Sequence, residues 1–195
     1  MRKYFERFLY IKSKVFLIIH SLFHKFRFAK FGRRSTLGYG CILQHPESIS
    51  VGDRVSIGNR VWLNAGPNLT KYKKALLTIG SGSSISRNVH INAFKDVVIE
   101  DYVLIGEDVY LGDTDHISSE DSDLPIIKQG WEFKGSVLLK TGCFIARGAI
   151  ILPGITIGKN AIVGPNAVIT MDIPDYSMAW GNPARIIKIK KNKED

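Results

Sequence analysis

"LKTGCFIARGAIILPGITIGKNAIVGPNAVIT", residues 139–170, places an apolar side chain at every sixth position: Leu139, Ile145, Ile151, Ile157, Val163 and Ile169. That period fits neither an amphipathic helix nor the two-residue alternation of a half-buried strand. A small or β-branched residue stands two places before each, among them Cys143, Ala149, Ala161 and Ala167.

The same spacing extends back through Ile99, Ile105 and Leu111, then Ile79, Ile85 and Ile91, then Val51, Ile57 and Leu63, to Phe31, Leu37 and Leu43. The eighteen sites form six groups of three, and four insertions interrupt them. Every insertion falls after the third member of a group, so three hexads make one structural unit with one tolerant corner. One turn of a three-sided prism meets that requirement. Each hexad supplies a short strand and a tight corner, and stacked coils bury a continuous apolar column. Glycine often follows the inward residue, as at Gly32, Gly38, Gly58, Gly106 and Gly164, and is expected there to supply the backbone angles of the corner. Antiparallel sandwiches space their turns more widely and alternate within strands.

The formal net charge of +9 over 195 residues is confined to one end. Residues 1–34 hold ten Lys or Arg against Glu6 alone, and the other 161 residues carry 17 basic and 17 acidic side chains. The surface of the repeat is therefore neutral, and no nucleic-acid partner is expected. The segment 1–30 mixes those cations with Phe, Leu and Ile, but its longest apolar run, Val15 to Ile19, is too short to cross a bilayer. It also lacks the cleavage site of a signal peptide, so a cytoplasmic location is expected. A basic, aromatic-rich helix suits two settings: peripheral contact with the inner face of the cytoplasmic membrane, or packing on its own domain or a neighbouring subunit. Cys41 and Cys143 lack metal or redox spacing and read as buried thiols.

The largest insertion, 112–136, contains "DTDHISSEDSDLPIIKQGW" (113–131) and shows no strand-like alternation. His116 sits near its base between candidate orienting carboxylates Asp113 and Asp115, with a backbone carbonyl as a third possibility. Histidine titrates near neutrality and suits a general base. Of the other histidines, His20 and His24 face one side of the N-terminal helix, and His90 points outward beside inward Ile91.

The residues from 31 to 189 resemble the hexapeptide-repeat acyltransferases, whose fold is a left-handed parallel β-helix. Within them, "IILPGITIGKNAIVGPNAVITMDIPDYSMAWGNPARIIK" (150–188) resembles the C-terminal signature of the acetyl-coenzyme A branch that includes maltose, galactoside and xenobiotic acetyltransferases. The loop is similar to that of capsule and lipopolysaccharide O-acetyltransferases. The resemblance implies an all-β prism of about six coils over 31–173, a C-terminal extension over 174–195, and a homotrimer with its sites between prisms. It also implies an acetyl-CoA donor, a sugar or polysaccharide acceptor and no metal.

Residue by residue, the resemblance makes His116 the base and gives Asn92 an acceptor contact, against the alternative of a turn asparagine. Trp131 stacks on a sugar or packs the loop, and Phe144 stands where the family carries Trp, beside the acceptor. Ala146, Gly164, Thr170, Arg185 and Lys188 match donor-binding positions. Pro165 and Met171 depart from the family pattern in the donor groove. Zinc held as in the γ-class carbonic anhydrases would need three histidines, and His90 and His116 have no close-spaced third. Acyl carrier protein as donor, or a non-catalytic scaffold, are the remaining readings of the same prism.

Overall fold

A computed structural model describes residues 15–66, 76–119 and 122–189, with side chains to residue 187. The chain winds as a left-handed parallel β-helix. Six coils each contribute one strand to three parallel sheets, the sides of the prism. The first side runs from Lys30–Phe31 through Ile49–Val51, Leu77–Ile79, Val97–Ile99 and Val137–Leu139 to Thr156–Ile157. The second begins at Thr36–Leu37 and includes Leu104–Ile105, Phe144–Ile145 and Ile162–Val163. The third includes Trp62–Asn64, His90–Asn92, Tyr110–Gly112, Ile150–Ile151 and Val168–Ile169.

Register follows the hexads: Ile105 pairs with Ile85 and Ile145, and Leu111 with Ile91 and Ile151. Sixteen of the eighteen inward residues are buried, while Phe31 and Leu43 in the first coil are only partly so. Burying each such side chain contributes roughly 1.5–3 kcal/mol. The partial exposure of those two marks the open end of the column. Cys143, Ala149, Ala161 and Ala167 are fully buried in the crowded corners. Burial pushes the Cys143 thiol up to about 12, which makes it inert near neutral pH.

The glycines after the inward residues do a different job from the one expected. None of Gly32, Gly38, Gly58, Gly106 or Gly164 has positive φ; the left-handed residues lie two places later, at Arg34, Gly40, Arg60, Asp108 and Asn166. A Cβ on Gly38 would lie 2.3 Å from the carbonyl oxygen of Gly58 in the next coil. Close approach of successive coils, rather than corner dihedrals, therefore requires glycine.

Two further expectations are corrected. The insertion 112–136 is not strandless: Thr114–His116 pairs antiparallel with Trp131–Phe133, and Ile126–Gln129 forms a helical turn between them. The C-terminal extension is not outside the helix either. Ser177–Gly181 adds a seventh rung to the second side, and Ala184–Ile189 closes it antiparallel, covering an edge that would otherwise be exposed. At the opposite end, residues 15–24 are helical and pack on the first coil, while residues 1–14 lie outside the described chain.

Candidate active site

The third side of the prism ends at the corner from which the long insertion leaves. Asp113, the first residue past that side, is fully buried. Its Oδ1 accepts the Phe94 N–H at 2.9 Å, and its Oδ2 accepts those of Lys95 and Asp96, each at 2.8 Å. The Asp113 backbone joins the same network: its N–H donates to the Asn92 carbonyl at 3.2 Å, and its carbonyl accepts the Lys134 N–H at 2.9 Å. One carboxylate thus ties the 93–96 corner to both ends of the insertion. An ionised acceptor suits three converging amides.

The imidazole–carboxylate pair suggested by the sequence is not formed. Both Asp113 oxygens are committed to backbone amides, and Asp115 Oδ1 accepts the backbone N–H of its neighbour His116 at 2.7 Å. Among the described residues the His116 ring makes no hydrogen bond. Packing holds it instead. The rings of His116 and Trp131, directly opposite in the hairpin, have centres 3.6 Å apart, and Trp131 also stacks on Phe94 at 5.7 Å. The Lys95 ammonium lies 4.3 Å from the Phe133 ring centre on the same hairpin. His116 remains exposed, so an imidazole with ordinary solvent access stands on a braced platform. The indole, half-exposed, supports that imidazole, a use the sequence did not suggest.

Asn92 lies inside a polar ladder on the same side. Its Oδ1 accepts from Asn64 Nδ2 at 3.3 Å and from His90 Nε2 at 3.2 Å, and its Nδ2 approaches the Tyr110 hydroxyl at 3.4 Å. His90 stacks on Trp62 with ring centres 4.3 Å apart and planes 5° from parallel, and meets Tyr110 edge-on at 5.4 Å. Gln44 accepts the Trp62 indole N–H at 3.3 Å. Burial lowers the His90 pKa, and its hydrogen bond to Asn92 opposes the shift. Trp62, Tyr110 and Phe94 were not singled out from the sequence. For Trp62 and Tyr110 the signal was present: each stands one place before an inward residue of the third side, where outward side chains of successive coils must stack.

The positions expected to bind the donor fall at more than one place. Ala146 and Gly164 occupy the corner between the second and third sides in successive coils, donating their N–H groups to Val163 and Ala179 at 2.9 Å each. Gly164 lies directly under Trp180, since a Cβ there would come within 1.1 Å of the indole Cδ1. Arg185 pairs across from Trp180, and Phe144 faces outward two residues before Ala146. Thr170 follows Val168–Ile169, the third-side strand of the sixth coil, which pairs with Ile150–Ile151. The backbone of Lys188 pairs with Met178, and its side chain lies outside the described residues. The His116 cluster and the Ala146–Gly164 column therefore sit at opposite edges of the third side. No three His, Cys, Asp or Glu side chains converge on a metal position among the described residues.

Residues 137–170 match the bacterial transferase hexapeptide family, six repeats. Over those residues the chain carries the repeat of that family. The chain is 34% identical over 128 residues to a probable acetyltransferase of Mycobacterium tuberculosis, a match covering 65% of this chain and 42% of that protein. It is 28% identical over 159 residues to the galactoside O-acetyltransferase of Escherichia coli, covering 80% of this chain and 77% of that one. The chain thus spans less than half of the mycobacterial relative. A hexapeptide-repeat acetyltransferase of Vibrio cholerae, solved in complex with acetyl coenzyme A, shares the fold with a TM-score of 0.60 at 20% identity, over 87% of this chain and 75% of that one.

Proposed function

We propose that this hexapeptide-repeat transferase moves acetyl from acetyl-CoA to a sugar hydroxyl of a cell-surface polysaccharide or its precursor, with His116 as general base. The observation that carries the reading is the His116 imidazole, exposed, packed on Trp131 and without a hydrogen bond among the described residues. The galactoside O-acetyltransferase relative supports a sugar acceptor.

In the proposed reaction, the acceptor oxygen attacks the thioester carbonyl carbon as its proton passes to His116. The tetrahedral centre collapses, the carbon–sulfur bond breaks, and the imidazolium returns the proton to the departing thiolate. The products are the acetyl ester and free coenzyme A, with no acyl-enzyme. Asn92 and Phe144 belong to the acceptor side. Ala146, Gly164, Thr170, Arg185 and Lys188 belong to the donor side.

The separation of the His116 hairpin from the Ala146–Gly164 column across the third side supports assembly of the site from two prisms, and hence a homotrimer. One prism offers its His116 hairpin and the next its Ala146–Gly164 column.

Turnover of His116→Ala with acetyl-CoA and a panel of activated and polymeric sugars tests the proposal. A fall of roughly two to four orders of magnitude is expected, with coenzyme A affinity by calorimetry unchanged. Normal turnover would overturn the assignment of the base.

A further inference from the structure

The helix over residues 15–24 is inverted relative to an ordinary surface helix. Its inward stripe is Leu17, His20, Ser21 and His24, spaced as one helix face. The polar members of that stripe have work to do at the open end of the prism. Ser21 Oγ accepts the Leu37 N–H at 2.8 Å and donates to the Leu17 carbonyl at 2.7 Å, while His20 Nδ1 lies 3.1 Å from the Leu37 carbonyl oxygen. The edge of the second side is thereby satisfied by polar side chains. The large apolar residues are consequently turned outward.

Phe16, Ile19, Leu22, Phe23 and Phe26 are all exposed, Phe23 by 78% and Phe26 by 84%. A patch of this kind along one helix face marks a contact surface. The cations Lys25, Arg27, Lys30, Arg33 and Arg34 lie along the same end, with no acidic residue between positions 15 and 34. Between the helix and the first coil a cavity of about 480 Å³ is lined by Ile18, Leu22 and Phe31 together with Lys25, Arg33 and Arg34. Apolar walls beside three cations match the two halves of an anionic lipid.

We propose that this end of the prism docks on an anionic lipid bilayer, inserting the Phe16–Phe26 face below the headgroups with the cations at phosphate level. A second copy is the poorer occupant, because residues 15–34 carry five cations and no acidic side chain and two such ends repel. The docking stands independently of acetyl transfer. It would keep the prism at the surface where lipid-borne acceptors are held.

Flotation of the full chain with vesicles tests it, comparing phosphatidylcholine alone with phosphatidylcholine containing phosphatidylglycerol. The wild-type chain is expected to float only with the anionic vesicles and to be released by high salt. Lys25→Glu and Arg33→Glu should each lower the partition coefficient at least about fivefold. Phe23→Ser with Phe26→Ser should abolish flotation. Each variant is checked by circular dichroism and by acetyl transfer to a soluble sugar, which is expected to persist; that readout separates failure of docking from failure of the proposed chemistry. Equal partition into neutral and anionic vesicles would overturn the proposal. So would Phe variants that still float but lose an oligomer, which would assign the face to a second copy.

Discussion

Replacing Asp113 by asparagine separates a structural role from a catalytic one. The carboxylate is fully buried and accepts three backbone N–H groups at 2.8–2.9 Å. In the best orientation of the new amide, its oxygen takes the place of Oδ2 and keeps Lys95 and Asp96, while its NH2 group faces the Phe94 N–H. One charge-assisted hydrogen bond, worth about 1.5–3 kcal/mol, is replaced by two opposed donors, and the other two weaken as the charge disappears. The expected cost is about 3 kcal/mol. Asp113→Ala, which uncovers all three amides, should cost about 5 kcal/mol. For a chain of this size, 3 kcal/mol corresponds to a fall in Tm of about 6–12 °C, measured by calorimetry at fixed protein concentration. Because neither Asp113 oxygen touches the imidazole, turnover of Asp113→Asn well below its Tm should stay within about threefold of wild type, far from the loss expected of a general base. An unchanged Tm would refute the stapling role. An unchanged Tm together with collapsed turnover would return Asp113 to the His116 imidazole.

Gly164→Ala must push the Trp180 indole off its seat, costing about 1–2 kcal/mol in urea unfolding. In a Trp180→Ala background the same substitution should be nearly free, and full retention of its cost there would mean that something other than the indole crowds the glycine. His90 gives a signed pH effect. Its folded pKa lies below the ordinary value of 6.5, so the unfolded chain takes up its proton first; the contribution is present above pH 6.5 and is lost as pH falls toward the folded value. His90→Phe, which keeps a ring against Trp62, should flatten that part of the urea-midpoint profile, and an unaltered slope would contradict it.

The prism was legible because its rule is local: an inward residue every six positions, with each insertion at one corner. What the sequence did not disclose depends on neighbours one coil away. Gly38 is required by the Gly58 carbonyl twenty residues later in the chain, not by its own dihedrals. Asp113 looked like a partner for His116 because the two are close in sequence. Its actual partners are backbone amides of residues 94–96, and a backbone amide has no residue signature. The hairpin escaped notice for a related reason: three residues per strand are too few to display alternation, and its pairing is fixed by ring contacts among His116, Trp131 and Phe94.

These misreadings share a cause that bears on how the site is built. A β-helix satisfies its backbone along each side, but not at its two ends or at the corner where insertions leave. At those places side chains must finish the hydrogen bonding, and the chain uses Ser21 and His20 at the first coil and Asp113 at the insertion. Each of these polar groups carries chemistry-bearing residues on its other flank. Committing Ser21 and His20 inward turns the phenylalanines of the terminal helix outward, and committing Asp113 to amides leaves His116 to be braced by an indole and open to solvent. The location of both candidate contact surfaces thus follows from where a repeating backbone runs out of partners.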